Sequence, residues 1–303
     1  MLSPSFRELS TDVYAYFKPG VACKVKDNHI KFNISNYSEA ILANEYYFSN
    51  KDWAKEYFDF CHRSQSFKER WQAACGSWTG KTVVDIGCGP GNVFATLGGS
   101  PKLLIGVDVA PTSLAMAAAV GYKSVLADAH DLPFVSGFAD VVVLNATLHH
   151  CENMEAVLKE AARLVKPGGI LISDHDPQLS AWDYKGMAKM LWNLRLYIYS
   201  KTKHSFHKDK EQQYWGLKCE IHHKAGDGVT EALYREVLTP MGFEVNIHPH
   251  NHTVGVEALN GVVGKAELKY RLRNLLSGRN PNSKTSALSL MCVARLKNNS
   301  GAK

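Results

Sequence analysis

Imidazoles and carboxylates stand at the ends of apolar runs in this chain of 303 residues. The run Asp140-Val141-Val142-Val143-Leu144 exits through Asn145-Ala146-Thr147-Leu148-His149-His150-Cys151, and Ile170-Leu171-Ile172-Ser173 exits through Asp174-His175-Asp176. Histidine titrates near neutral pH, so at the mouth of a crevice it is a candidate general base. His149 is the first candidate, His175 between its two acids the second, and His150 the third. His222-His223 lies in a polar stretch and reads as solvated loop, with a substrate or phosphate contact as the functional alternative. No His, Cys or acid spacing marks a metal site, so no metal ligands are expected.

A second set of residues builds a ligand-binding turn. Val83-Val84-Asp85-Ile86 reads as a buried strand, Gly87-Cys88-Gly89-Pro90-Gly91 as a tight turn, and Asn92 as the start of a helix. Glycines allow positive φ and let a ligand approach the backbone, while the helix start offers N–H groups to an anionic part of it. A dinucleotide fingerprint needs G-x-G-x-x-G; counted from Gly87, its third glycine position is Asn92, so that pattern fails. Leu103 to Val107 reads as another buried strand ending in Asp108, a carboxylate placed to accept from both ribose hydroxyls of a nucleoside. Ligands of such sheets bind beyond the carboxyl ends of the strands. Gly87, Asp108, Asp128, Asn145 and Asp174 are all read at such ends, converging on one crevice.

The pattern Asp85-x-Gly87-x-Gly89-x-Gly91 resembles the first motif of class I S-adenosylmethionine (AdoMet) methyltransferases. Asp108, Ala127-Asp128-Ala129, the strand 140–145 and Leu164-Val165-Lys166-Pro167-Gly168-Gly169-Ile170 follow at that family's distances. The resemblance covers residues 80–176 and is similar to the broad type 11 group. It implies an α/β, Rossmann-like, seven-stranded mostly parallel sheet with an antiparallel edge strand. It implies AdoMet as cofactor and S-adenosylhomocysteine as product. The cofactor contacts it implies are Asp85, Gly87, Cys88, Gly89, Gly91, Asp108, Val109, Asp128, Ala129 and Asn145, with Asp128 taking the adenine amino group. Leu-His-His after the fourth core strand recurs across that group and often shapes the cofactor pocket, which is the alternative role of His149 and His150.

The elements that must position these residues follow from pattern. Residues 1–79 carry 16 of the 31 aromatic residues and read as an N-terminal lid and substrate-binding extension. In it, Gly20 to Ile34 suggests a hairpin turning at Asp27-Asn28, Asn50 caps a helix, and Phe67 and Trp71 suggest another. Tyr14, Tyr37, Tyr46 and Tyr47 are its loosest candidates for substrate contact. Residues 80–303 read as the methyltransferase domain with a cap insertion at 177–228. Within the insertion, Trp182 to Tyr199 suggests a cap helix packed on the domain through Met187, Met190, Leu191, Leu194, Tyr197 and Ile198. Contact of that face with a membrane surface or an apolar substrate is the alternative. Residues 201–224 read as a basic loop. Thr230–Pro240, Phe243–Ile247, Lys265–Leu276 and Leu288–Leu296 supply the last helices and strands.

Composition narrows the function. The net charge is +6, and Lys185 to Lys224 accounts for all of it, with nine Lys or Arg against three acids. The positive charge belongs to the insertion and points to an anionic acceptor. No run of 18 apolar residues or signal-like start is present, and seven scattered cysteines without C-x-x-C suit a reducing cytoplasm. Asn145-Ala146-Thr147-Leu148 does not match the [Asp/Asn/Ser]-Pro-Pro-aromatic motif of base-amino methylation. A small-molecule acceptor at O, N or C is therefore expected, in secondary or cofactor metabolism. RNA is the runner-up partner, and a non-catalytic AdoMet-binding partner protein the third reading.

Overall fold

The computed structural model describes residues 12–26, 28–202, 209–224 and 226–298. Nine strands form one sheet: β1 (Cys23–Lys26), β2 (His29–Phe32), β3 (Thr82–Ile86), β4 (Leu103–Asp108), β5 (Lys123–Leu126), β6 (Ala139–Asn145), β7 (Val165–Asp174), β8 (Phe243–His250) and β9 (Ser289–Leu296). Their order is β1-β2-β5-β4-β3-β6-β7-β9-β8. The run from β2 to β7 is parallel, and β9 lies antiparallel between β7 and β8. The architecture is the expected Rossmann-like α/β class.

The strand count differs from the expected seven. The N-terminal hairpin joins the sheet, with Ile30 registered against Val125, so it belongs to the core sheet and not to the lid alone. Ile30 and Phe32 bury into the same core as Val107 and Val125. Burial is what recruits β2, and β1 then closes the edge with exposed Lys24 and Lys26, which discourage further pairing. Of the predicted turn, Asp27 lies outside the described residues.

Strand residues alternate between two layers. Val84 and Ile86 pack with Val157, Leu158, Tyr234 and Val237 on one face, while Val83 packs with Phe67, Trp71 and Leu114 on the other. Helices cover both faces, which is why β3 is buried along its whole length. The helices Glu231–Leu238 and Leu268–Leu276 fall within the predicted segments, and Pro111–Val120 and Met154–Leu164 follow β4 and precede β7. The helix after the glycine turn is short, Asn92–Leu97.

Three helices lead from the hairpin into the core: Glu39–Phe48, Lys51–Phe60 and Gln65–Cys75, capped by the side chains of Ser38, Asn50 and Ser64. The cap insertion meets the first of them. Residues 209–224 contain a helix, Lys210–Cys219, where a loop was expected; Asp209 caps it by accepting from the Gln212 N–H. Residues 203–208 of the predicted loop lie outside the described residues. Lys218 Nζ lies 2.6 Å from Glu39 Oε2, Tyr214 donates to Glu39, and Trp215 stacks on Tyr46 with centroids 5.4 Å apart.

The predicted cap helix is Gly186–Thr202, and its packing differs from expectation. Met187, Met190, Leu191, Leu194, Tyr197 and Ile198 are exposed. The helix is anchored instead by Trp192, which contacts Trp182 and Tyr184. No helix of the described residues is long and apolar enough to cross a membrane, and the seven cysteines are unpaired.

Candidate active site

A cleft open to solvent lies at the carboxyl ends of the central strands. Its floor is the β3 exit. Gly87 has φ +67°, and a Cβ there would fall 2.5 Å from Thr147 Cγ2. Thr147 in turn donates from Oγ1 to the Ile86 carbonyl at 3.0 Å. Only glycine lets the β3 and β6 exits touch in this way. Gly89 (φ +52°) points its N–H at Asp108 Oδ2, 2.9 Å away, and leaves open space on its Cα.

Asp108 ends β4 and lines the cleft. Its Oδ1 accepts from the Ala110 N–H at 2.9 Å, so two backbone donors fix the carboxylate while lone pairs remain for a ligand. Burial pushes its carboxyl up, and the N–H groups of Ala110, Gly89 and Val109 pull it back only in part. Asp128, beyond β5, is held by His130. Its Oδ1 accepts from the His130 backbone N–H at 2.9 Å and lies 2.6 Å from Nδ1. Because His130 Nε2 accepts from the Asn153 N–H, Nδ1 carries the proton. Burial raises the Asp128 carboxyl, but the His130 contacts outweigh it and leave it below its ordinary value. Val109, Ala127, Ala129, Ile41 and Phe48 supply apolar wall, and Ser38, Asn44 and Tyr57 reach in from the N-terminal helices.

Gly87, Gly89, Asp108, Val109, Asp128 and Ala129 therefore meet on the cleft as predicted. Four other predicted cofactor contacts lie outside its wall. Asp85 is fully buried and accepts from Tyr122 Oη at 2.7 Å. Cys88 packs beneath the sheet against Gly106, where a Cβ would lie 2.8 Å from its Sγ. Gly91 caps the short helix in a left-handed conformation (φ +93°), tight against Tyr122. Asn145 is buried at the end of β6. Tyr14, Tyr37, Tyr46 and Tyr47 also lie outside the wall. The helix start at Asn92 serves the fold: its side-chain amide donates to the carbonyls of Tyr57 and Cys61 at the end of the helix Lys51–Phe60.

The β6 exit bends sharply. Ala146 adopts φ +54°, rare without glycine, and donates its N–H to the Asp174 carbonyl at 2.8 Å. The turn Leu148–His150 follows. His149 is buried between two carboxylates: Nδ1 lies 2.8 Å from Asp176 Oδ1, and Nε2 lies 3.3 Å from Glu220 Oε2. Burial works against its proton, yet Asp176 and Glu220 overcome that and raise the ring to about 9. Both of its ring nitrogens thus face carboxylates. His150 is the reverse. It lines the cleft, and burial together with the neighbouring His149 brings it down to about 4.

His175 does not reach the cleft wall. It adopts φ +62° and sits among His62, Phe67, His250 and His252. Asp174 likewise turns away from the crevice. It accepts from Arg70 Nε and Nη2, Trp71 Nε1 and His250 Nε2, all at 2.7–3.2 Å and all buried. Burial would raise this carboxyl, but Arg70 and the histidines hold it well below its ordinary value.

The predicted solvated pair in the insertion is built into the fold. His222 bridges Asp227 Oδ2 (2.9 Å) and the Cys151 carbonyl (2.7 Å). His223 stacks on His149 at 5.0 Å, and its Nδ1 lies 2.9 Å from Glu220 Oε2. Sequence reasoning counted Glu220 only as charge and missed Asn44 and Arg70. No local signal marked them, since each acts on a partner distant in the chain.

The cleft fits the adenosyl part of AdoMet. Asp108 offers it free lone pairs, Asp128 stands beside apolar wall, and Gly87 and Gly89 leave backbone bare. Residues 84–173 match the model of the methyltransferase domain family, 90 of the 303 residues. An O-methyltransferase of ubiquinone biosynthesis from Pseudomonas paraeruginosa is 29% identical over 147 residues, covering 45% of this chain and 62% of the relative. A tRNA (carboxymethyluridine(34)-5-O)-methyltransferase from Arabidopsis thaliana is 34% identical over 98 residues, covering 31% of this chain and 24% of the relative. A solved SAM-dependent methyltransferase from Thermotoga maritima superposes with a TM-score of 0.48 at 17% identity, covering 84% of this chain and 99% of that one. The chain thus spans about three fifths of the length of the ubiquinone-pathway relative it matches. Its matched segment belongs to the class I S-adenosylmethionine-dependent methyltransferases, whose cofactor is AdoMet and whose product form is S-adenosylhomocysteine.

Proposed function

We propose that this protein transfers a methyl group from AdoMet to a small-molecule acceptor, with a hydroxyl as the favoured acceptor group. The observation that carries the reading is that one cleft holds both the nucleoside-binding carboxylates, Asp108 and Asp128, and a neutral imidazole, His150. The ubiquinone-pathway relative, whose acceptor is an oxygen, supports it.

AdoMet supplies an activated methyl on a sulfonium, and the transfer is an in-line displacement. The chain's own work is to bind, align and shelter. Asp108, Asp128 and the glycine backbone hold the nucleoside. The helix Glu39–Phe48, strapped to Lys210–Cys219, forms one wall of the cleft, and alignment supplies most of the rate. His150 accepts the acceptor's proton as the methyl arrives. His149, Asp176 and Glu220 act behind it as a charged support. Peripheral contact through the exposed face of Gly186–Thr202 would serve an apolar acceptor, and the cytoplasm is the compartment we propose.

An RNA acceptor is the second reading, favoured by the similarity to the tRNA enzyme and by the basic insertion. Transfer of labelled methyl from AdoMet into fractionated cell extract separates the two. Label in the small-molecule pool supports the first reading; label in RNA, lost when the lysines between 201 and 224 are neutralised, replaces it with the second. Binding of AdoMet without label in either pool indicates a non-catalytic partner protein.

A further inference from the structure

We propose that His149, Glu220 and His223 form a site for one divalent transition-metal ion, with zinc the best match. Their ligand atoms come from the β6 exit and from the end of the cap insertion, and all lie within 4.8 Å of one another. His149 Nε2 is 3.3 Å and His223 Nδ1 is 2.9 Å from the same oxygen, Glu220 Oε2. An ion with tetrahedral bonds of about 2.0–2.1 Å separates its ligand atoms by about 3.3–3.4 Å, so the two distances to Glu220 already approach the spacing of such a site.

A second observation points the same way. Glu220 Oε2 is shut off from solvent and has no aligned hydrogen bond among the described residues, although two ring nitrogens crowd it. Close approach without hydrogen-bond alignment is the arrangement of ligands facing a common centre. The surroundings are those of a metal site too. Asp176, fully buried, takes His149 Nδ1 at 2.8 Å and the His149 N–H at 3.0 Å, which turns Nε2 toward Glu220. Such a carboxylate behind a ligating histidine fixes the ring and strengthens it as a donor. His223 is clamped between His149 and Trp182, with ring centroids 5.0 and 4.2 Å away.

The donor set names the ion class. Two imidazoles and one carboxylate suit zinc and its first-row neighbours; magnesium and calcium prefer all-oxygen shells. Three protein ligands leave a position open, which catalytic zinc fills with water or substrate. The His149 ring lies 4.0 Å from that of His150, which lines the cleft. A hydroxyl or carboxylate of the acceptor would take the open position. That last step rests on the methyltransferase reading, whereas ion binding does not.

The test uses untagged full-length protein, stripped with chelator and dialysed against zinc or cobalt(II). We expect one equivalent bound and, with cobalt, visible d–d absorption of a low-coordinate nitrogen–oxygen site. Glu220→Gln and His223→Gln should each weaken binding at least about 100-fold, and Asp176→Asn about 10- to 100-fold. Less than about 0.1 equivalent on the native protein, or undiminished binding in both ligand variants, overturns the proposal. Should the variants not fold, the cobalt spectrum of the native protein decides alone, absence of those bands counting against the site. AdoMet titrated into the same stripped sample keeps the two readings apart: AdoMet bound by a protein that takes up neither zinc nor cobalt overturns only the metal site.

Discussion

His150 Nδ1 lies 2.9 Å from the carbonyl oxygen of Cys219. A carbonyl cannot donate, so the ring nitrogen does, and the tautomer is settled: Nε2 is left without a proton, on a ring that lines the cleft. The base that the sequence placed first, His149, is enclosed by two carboxylates, and we propose its neighbour for the role. We expect His150→Ala to lower turnover by about 10²–10⁴-fold, the usual worth of a positioned base. AdoMet affinity, read by calorimetry on the same variant, should change far less. Parallel losses in both would make His150 a wall of the cofactor pocket instead.

Asp108→Ala should cost AdoMet affinity at least tenfold while the protein stays folded. The ribose contacts of a charged acceptor are worth about 1.5–3 kcal/mol each. The backbone N–H groups of Gly89 and Ala110 that lose their partner border an open cleft where water can reach them. Calorimetry and thermal melting on the same sample check both halves, and unchanged affinity removes Asp108 from the site.

Asp85 gives the fold a pH dependence. Burial drives its carboxyl up to about 7, against the pull of the Tyr122 hydroxyl. Its Oδ1 has no hydrogen-bond partner among the described residues, as suits the oxygen that carries the proton. In the unfolded chain the same group titrates near 4. Between about pH 4 and 7 the folded state therefore binds more protons, and this contribution to stability is full below about 4 and declines as pH rises to 7. Urea midpoints should fall between pH 5 and pH 8 by more in the native protein than in Asp85→Asn. Equal slopes would show that Asp85 is ionised in the fold.

The buried pair Arg70–Asp174 should tolerate no one-sided change. Both side chains are fully buried, 3.1 Å apart. Arg70→Ala leaves the carboxylate desolvated with only Trp71 and the histidines, and a loss of about 3–5 kcal/mol is expected in denaturant titration. A loss below about 1 kcal/mol would mean that water or His250 compensates.

Much of this was legible from local signals. Gly87, Gly89, Asp108 and Asp128 were placed at the cleft because strand ends and turns are set within a short window. The two added strands were missed as sheet members because the pairing of Ile30 with Val125 leaves no mark on either segment. Asp174 was placed in the crevice by its strand end alone; only its partner Arg70 tells which way it turns. The stripe from Met187 to Ile198 has helical spacing, and spacing shows that a face is apolar but not that anything lies upon it. The inversion of His149 and His150 turns on Glu220 and Cys219, which no periodicity links to β6.

The strap between Glu39 and Lys218 joins the two halves of the cleft's cover, and both side chains stand in water. Exposed pairs of this kind are weak and fade as salt rises. The Tyr46–Trp215 stack and the Tyr214–Glu39 hydrogen bond are further clasps. Parting of this joint would free one wall of the cleft while the nine-stranded sheet stays intact. Ligand exchange should quicken with ionic strength at a temperature where the melting curve does not move.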